Sequence, residues 1–376
     1  MSINYEDYEQ RMQTAISTAP DGAVLEKLLM RLIEDRDLGG EVASRLLVAL
    51  RKRADHRFPE DRDRIRQRIA ENVNAYQVEH EVVRSYSRLD HLHSVPSFRA
   101  SMAMRSRKHR LAGWKSSREW LLDDKTHAYR FADLLDIPRP QRLQTALVLD
   151  DVEVSPGTVI KPVKEAHSRG IYIVQDDGRI LDVRKFEYLR DEGQLHSRMH
   201  QDMKAGRVRR DAWNVDEFVG GLPGEEGPAR DVKFYCFYGR VALISEAARL
   251  PELKGCWISR DNKVVDVGQP FGKDPNFVGM GASEEEFRMA ERISSEIPAP
   301  YIRLDFLRGA KGLMLGEFTM RPGAFHKFGK AADRWMGDLF LGAEARLMED
   351  ALNGKSFEAF NEFRRWLRRQ ETRAAA

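Results

Sequence analysis

The sequence predicts an α+β fold preceded by an all-helical N-terminal region, and two observations indicate it. From about residue 5 to residue 118, apolar residues recur at the spacing of amphipathic helices, and no segment is convincing as a strand. From residue 158 onward, short apolar runs alternate with turns containing Gly and Pro and with longer helical patterns. A chain of 376 residues can bury more than one core, so we expect two to three subdomains.

Composition excludes several classes of protein. Hydrophobic residues make up 42% and charged residues 32%, which is typical of a globular protein, and the net charge of +3 is too small to favour a nucleic-acid partner. No apolar run approaches the ~18 residues of a membrane span, and the N-terminus lacks the apolar core of a signal peptide. The only cysteines are Cys236 and Cys256, which excludes a disulfide framework and a cysteine-based zinc site. We therefore expect a cytoplasmic protein.

The N-terminal region contains two predicted helices and one basic run. The helices carry their apolar residues between positions 25 and 50, and Gly39-Gly40 separates them. Between His91 and Arg118 there are many Arg and Lys residues and no acid. Such a run either binds an anionic partner or forms a solvated helix face. On the first interpretation, Arg105 and Arg107 face the acceptor of a reaction and select a carboxylate-rich substrate.

A lysine in a strand and the loop that follows it suggest a phosphate site. The segment Thr158–Pro162 is predicted as a short buried strand that carries Lys161, whose burial calls for an anion. In the next loop, Ser168 and Arg169 offer donors, and Gly170 allows close approach of the backbone. The alternative is a hairpin with an exposed turn.

The region between these strands and the next motif is predicted as one helix, from about residue 183 to residue 208. His196 and His200 are spaced i, i+4 on it, which suits a metal, but no third ligand is evident and a solvated surface is favoured.

The stretch from Tyr301 to Phe325 is predicted as a hairpin of buried strands around which the chain is organised. Apolar residues alternate with Arg303 and Asp305, a turn follows at 308–312, and Glu317 lies on the return strand. Buried charge is costly unless it is paired or bound to metal. Two carboxylates on adjacent strands suit Mg²⁺ that also holds phosphate oxygens. The alternative is a structural ion cluster of Arg303, Asp305 and Glu317.

This hairpin also resembles a known family. Asp305, followed after the turn by Glu317-Phe318-Thr319-Met320-Arg321-Pro322-Gly323, resembles the metal-binding end of the ATP-grasp enzymes. Thr319 stands where Asn is usual, and the Gly-Glu-x-Thr variant is most similar to the ATP-grasp proteins of teichuronopeptide biosynthesis. The resemblance covers residues 124–352, and a helical region stands where most of the family has a Rossmann-like domain.

The resemblance implies roles for individual residues. Mg²⁺ would be held by Asp305, Glu317 and Thr319. Lys161 would contact the α-phosphate of ATP, while Ser168, Arg169 and Gly170 would close over the other phosphates. The remaining implied roles are adenine binding at a hinge strand by Glu217, Phe218 and Val219, ribose binding by Asp231, further nucleotide contact by Lys125, and catalysis by Lys233, Arg303 and Arg321.

The resemblance also implies a domain plan and an activity. Residues 1–118 would form a helical, candidate acceptor-binding region, 119–220 and 221–352 two α+β subdomains clasping ATP, and 353–376 a C-terminal helix. The implied enzyme is an ATP- and Mg²⁺-dependent ligase that joins a carboxylate donor to an amine acceptor (an amino acid, a peptide or an acidic saccharide) through an acyl phosphate. A kinase that uses His326 as base and a noncatalytic nucleotide-binding subunit are the alternatives, and a homodimer is compatible with either activity.

Overall fold

The computed structural model describes residues 5–18, 96–113, 117–164, 169–225, 227–250 and 252–375, together with a few single positions between 20 and 60. The chain divides into two compact units, residues 1–95 and 96–376. In the first unit the structure describes helix α1 (Tyr5–Ser17), on which Arg11 pairs with Asp7 one turn away. Of the two helices predicted between residues 25 and 50, the structure describes only single positions of the first, where Lys27, Leu28 and Arg31 are helical, and the rest lies outside the described residues.

The described part of the second unit contains helices and strands with the following bounds. The helices are α2 (Phe98–Ala112), α3 (Lys125–Leu134), α4 (Glu192–Lys204), α5 (Glu284–Ser295), α6 (Lys330–Leu352) and α7 (Glu358–Ala375). The strands are β1 (Arg142–Leu147), β2 (Thr158–Pro162), β3 (Tyr172–Val174), β4 (Ile180–Asp182), β5 (Glu187–Leu189), β6 (Trp213–Glu217), β7 (Arg230–Cys236), β8 (Val241–Ala248), β9 (Lys254–Ser259), β10 (Ile302–Gly309) and β11 (Gly312–Thr319). Short 3₁₀ turns lie at Arg118–Asp123, Leu149–Asp151 and Phe325–Lys327.

The strands form two antiparallel sheets. One has six strands in the order β1-β6-β2-β3-β4-β5, and the other has five in the order β11-β10-β7-β8-β9. Separate sheets with helices packed against them are the α+β arrangement, so the predicted fold class is confirmed.

Helices cover both faces of the five-stranded sheet. On one face, Phe234, Leu304 and Phe306 belong to a core that also contains side chains of α3, α5 and α7. On the other face, α2 and α6 pack against one end of the sheet, where Phe98 and Phe340 are buried. The rest of that second face carries the polar side chains of the candidate site. The six-stranded sheet has its own core, to which α4 contributes.

One predicted helix is wrong at its N-terminal end. The segment 183–208 was expected to be helical throughout, but it begins with a turn and strand β5, and α4 starts at residue 192. Asp182 accepts bonds from the backbone N–H groups of Arg184 and Lys185, which fixes the turn. Asp191 then caps the helix by accepting a bond from the N–H of Gln194. Local side-chain bonds to the backbone therefore decide where the helix begins.

Among the helices that the structure describes, none is both long and apolar enough to cross a membrane.

Candidate active site

A bulge in the β10–β11 hairpin positions the two carboxylates. Asp305 pairs with Glu317, but the next residue, Phe306, pairs with Leu315, so Gly316 is the extra residue of a bulge. In a regular strand, Glu317 would share the core-facing side of β11 with Leu315, because side chains two residues apart lie on the same face. The bulge instead puts Glu317 on the same side of the sheet as Asp305.

Asp305 is held between two cations. Arg303 donates from Nε to its Oδ1 at 2.6 Å and from Nη2 to its Oδ2 at 2.6 Å. Lys233, which is opposite Asp305 on β7, donates to Oδ2 at 2.8 Å. Burial alone would raise the pKa of Asp305, but Arg303 and Lys233 hold it far below its usual value. Asp305 is therefore a carboxylate at any physiological pH.

The surroundings and the pKa of Glu317 differ from those of Asp305. Within the described residues its carboxylate makes no ion pair or hydrogen bond, although the side chain is half-buried. Burial, and then repulsion from Asp305, raises the pKa of Glu317, while Lys125 and Lys233 lower it. The structural ion cluster considered from the sequence thus forms between Arg303 and Asp305 but leaves Glu317 out.

The donor set of this region fits a hard cation. No group of three or more His, Cys, Asp or Glu side chains suited to a metal occurs among the described residues, so His196 and His200 do not form such a site. Mg²⁺ is commonly bound by one or two carboxylates, with substrate phosphates and water supplying the other oxygens. Thr319, whose hydroxyl accepts a bond from Arg303 at 3.2 Å, adds a neutral oxygen beside the two carboxylates. A cation there would relieve the repulsion between Glu317 and Asp305.

A second charged cluster surrounds Lys161 on β2. Its ammonium pairs with Asp216 on the adjacent strand β6, and Arg142 Nε lies 2.5 Å from the other oxygen of Asp216. Tyr129 donates to Asp216 at 3.2 Å and lies under the guanidinium of Arg142, 5.2 Å from its ring centre. One buried carboxylate thus pairs with two cations, of which Lys161 is buried and Arg142 is 14% exposed.

The charge balance at Lys161 favours binding of an anion. Burial and the nearby charges of Lys125 and Arg142 lower the pKa of Lys161 to about 7, although Asp216 opposes the shift. An added phosphate would neutralise the excess positive charge and raise this pKa.

Lys125 connects the two clusters. It is the first residue of α3, where Asp124 caps the helix by accepting a bond from the N–H of Thr126 at 2.9 Å. Its charge acts both on Lys161 in the six-stranded sheet and on Glu317 in the five-stranded sheet. Lys125 therefore lies near both the predicted phosphate lysine and the predicted metal carboxylate.

The predicted phosphate loop is described only in part. Ser168 lies outside the described residues, and Arg169 is half-buried in the turn before β3. Gly170 has a φ of +65°, and an added Cβ would come within 2.7 Å of Val208. This position therefore requires glycine both for its backbone conformation and for its close packing.

The predicted hinge follows β6. The N–H of Glu217 donates to the carbonyl of Gln141 at 2.8 Å, and the N–H of Phe218 donates to that of Gly157 at 2.8 Å. The carbonyl of Val219 accepts from Ala229 at 2.9 Å. The carboxylate of Glu217 is held by Lys311 at 3.1 Å, which ties the hinge to the turn of the β10–β11 hairpin.

Two other predicted residues lie at the margin of the site. Asp231 is two residues before Lys233 on β7, so it points to the same face of the sheet, and it pairs with Arg249 at 2.5 Å. Arg321 is exposed just beyond the end of β11.

The sequence did not reveal several members of the site. Tyr129, Arg142 and Asp216 come together around Lys161 only because α3, β1 and β6 meet there. Asp123, the residue before the capping Asp124, is a further acid near the metal candidates. Desolvation, together with Asp305, raises its pKa, while the backbone of Met320 lowers it. In the sequence, only its position directly before Asp124-Lys125 could have indicated that Asp123 lies near the site.

The basic run between His91 and Arg118 has in part a structural role. Arg105 is buried, and its Nη1 donates to the carbonyl oxygens of Tyr301 at 2.7 Å and Met320 at 3.0 Å. The prediction that Arg105 faces an acceptor substrate is therefore wrong, because its guanidinium satisfies the backbone at the ends of β10 and β11. Arg107, two residues on, is exposed.

A family profile described as TupA-like ATPgrasp matches residues 100–341. Similar solved structures include the ATP-grasp ligase PsnB complexed with its minimal precursor, at 14% identity and a TM-score of 0.35, covering 61% of this chain and 63% of that one. They also include the D-alanine–D-alanine ligase from Bacillus anthracis, at 12% identity and a TM-score of 0.37, covering 61% and 69%.

A third similar structure is the D-alanine–D-alanine ligase from Helicobacter pylori, at 13% identity and a TM-score of 0.33, covering 59% and 57%. The chain thus spans 63% of the length of PsnB, less than two thirds. Curated protein sequences give no significant match.

Proposed function

The chain belongs to the TupA-like ATP-grasp family, and from this premise we propose that it is an ATP- and Mg²⁺-dependent ligase that joins a carboxylate to an amine. The observation that carries the proposal is the position of Lys125. It links a cation-rich cluster suited to phosphate with a carboxylate pair suited to Mg²⁺. A nucleotide whose phosphates span the two clusters would satisfy both charge imbalances at once.

The nucleotide-binding roles follow from the charges of this chain. Lys161 and Lys125 bind phosphate oxygens, and Arg169 and Gly170 close over them from the turn before β3. The hinge at Glu217, Phe218 and Val219 receives the adenine, and Asp231 the ribose.

The metal-binding roles fall to Asp305, Glu317 and Thr319. When bound, Mg²⁺ neutralises part of the negative charge on the phosphates and orients them. Arg303 holds the Asp305 carboxylate in a fixed orientation through two bonds, so the ligand is preorganised.

The chemistry requires positioning rather than a protein nucleophile. An oxygen of the donor carboxylate forms a bond to the γ-phosphorus while the bond from that phosphorus to the β–γ bridging oxygen breaks, giving an acyl phosphate and ADP. The amine nitrogen then attacks the acyl carbon, phosphate leaves, and the amine proton goes to solvent. Lys233 and Arg321 stabilise the charge that develops on the transferred group. A carboxylate is already ionised at neutral pH, so the first step needs no base.

Trapping of the intermediate tests the proposal. The full chain is incubated with ATP, Mg²⁺, hydroxylamine and a panel of amino acids, short peptides and uronic acids. We expect ADP release that depends on one carboxylate compound, and formation of its hydroxamate. Glu317→Gln should abolish both.

The kinase alternative predicts a different product. It requires a base for a hydroxyl group, and His326 is exposed on the short turn after β11. A stable phosphorylated alcohol, no hydroxamate, and loss of activity in His326→Ala would overturn the ligase proposal. Hydroxamate formation by His326→Ala at the rate of the unmodified protein would support the ligase proposal.

A further inference from the structure

The outward faces of α2 and α6 expose several large apolar side chains. On α6, Leu341, Met348 and Leu352 follow each other at intervals of seven and four residues, so they share one face of the helix. Met348 is 62% exposed and Leu352 is 79% exposed. On α2, Met104 and Leu111 are seven residues apart, and Leu111 is 78% exposed.

These side chains lie along two helices that pack side by side. The two helices run in the same direction, because Ser97 before α2 donates to Asp333 in the first turn of α6 at 2.7 Å. Further along, Lys108 lies 3.9 Å from Glu344. Between the helices, Met104 and Leu341 line the same cavity of about 310 Å³. We call the set Met104, Leu111, Leu341, Met348 and Leu352 the α2–α6 band.

The band has one basic and one acidic edge. Lys108 faces α6, so Arg107 and Arg110 lie on the far side of α2, where both are exposed. Glu344 faces α2, so Asp338 and Glu349 lie toward the far side of α6, where both are exposed. An apolar band between edges of opposite sign is self-complementary.

We propose that a second copy of this chain covers the α2–α6 band in a two-fold symmetric dimer. Two copies can meet face to face with the symmetry axis parallel to the helices or across them. A parallel axis places α2 of each copy on α6 of the other, so that each basic edge meets an acidic edge. An axis across the helices places like edges together, which is unfavourable.

Charge also distinguishes a second copy from a membrane. A helix face that docks on an anionic bilayer is basic beside its apolar residues. Here Asp338 and Glu349 would be repelled from such a surface, whereas a second copy presents cations to them. The inference does not depend on the proposed ligase activity, because it involves none of the residues assigned to that activity.

The test is the mass of the full chain in solution, measured by light scattering over a dilution series. We expect a species of about twice 43.3 kDa. Met348→Glu should raise the dissociation constant of the dimer by at least about 30-fold. Met280→Glu is the matched control, because Met280 is 61% exposed on a loop outside the band, and it should leave the dimer intact.

A pair of charge reversals tests the orientation. From the contact between Lys108 and Glu344, Arg110 lies within about one helical turn of the level of Glu349. Arg110→Glu and Glu349→Arg should each weaken the dimer about 10-fold, and the double variant should restore it. A monomer at every concentration, or equal loss in the Met280 control, would overturn the proposal. Failure of the double variant to recover, or binding of the monomer to anionic vesicles through the band, would do the same.

Discussion

Removing the charge of Asp305 and removing that of Glu317, the two carboxylates of the β10–β11 hairpin, should have different effects on the stability of the protein. Glu317→Gln keeps the shape of the side chain, and within the described residues its carboxylate has no ion partner to lose. Folding raises the pKa of Glu317 through burial and through Asp305. A carboxyl group with a raised pKa stabilises the fold when protonated, and this stabilisation is lost as pH rises through that pKa. At pH 7 the neutral glutamine should therefore leave stability unchanged or slightly higher.

Asp305→Asn is the matched contrast. It leaves the side chains of Arg303 and Lys233, which are only 12% and 22% exposed, without the carboxylate that they share. Breaking a buried ion pair by removal of one partner costs about 3–5 kcal/mol. Since the pKa of Asp305 is depressed, this stabilisation is present above the unfolded-state pKa and is lost as pH falls through the folded one.

Urea unfolding and ATP turnover of the two variants together test whether Glu317 is a metal ligand or a structural residue. We expect Asp305→Asn to lose about 3–5 kcal/mol of unfolding free energy and Glu317→Gln to lose none, while both lose at least about 100-fold in ATP turnover. Destabilisation of Glu317→Gln as strong as that of Asp305→Asn would show that Glu317 is a structural residue. Normal ATP turnover by Glu317→Gln would refute the metal assignment.

Two further predictions concern cations. Because the pKa of Lys161 is about 7, the affinity for ADP, measured by calorimetry, should fall as pH rises from 7 to 9. Lys161→Arg should lack this pH dependence. Lys161→Ala should lose about 1.5–3 kcal/mol of binding free energy at pH 7. The free protein should become more stable over the same pH range, since its lysine releases a proton that the unfolded chain keeps; a wild-type affinity independent of pH would contradict this account. Arg105→Ala should lower the unfolding free energy by about 2–4 kcal/mol, because the carbonyl oxygens of Tyr301 and Met320 lose their donor. Arg107→Ala is the exposed control, and equal losses in both variants would show that the buried bonds of Arg105 are not the cause.

Much of the local structure could be predicted from the sequence. Alternating apolar residues on both sides of the Gly309–Gly312 turn specified the β10–β11 hairpin, because side chains in a strand alternate between two faces. The order of the motifs specified the ATP-grasp family, which the family comparison confirmed.

Short strands and bulges were not predictable in this way. Strands β4 and β5 have three residues each, too few for a periodic signal. The bulge at Gly316 is a shift of register between two strands, and one extra residue decides which face Glu317 occupies.

The sequence by itself determined which residues can carry the chemistry, because strand periodicity and turn residues are local properties of the chain. Only the tertiary structure decided which of them meet. Arg105 and Arg107 belong to one basic run, yet a helix turns by 100° per residue, and packing against β10 and β11 buried the first and left the second in solvent. Asp216 pairs with Lys161, and Lys233 pairs with Asp305, although the partners are 55 and 72 residues apart in the chain. Such partnerships are fixed by sheet register, which depends on the packing of the whole fold.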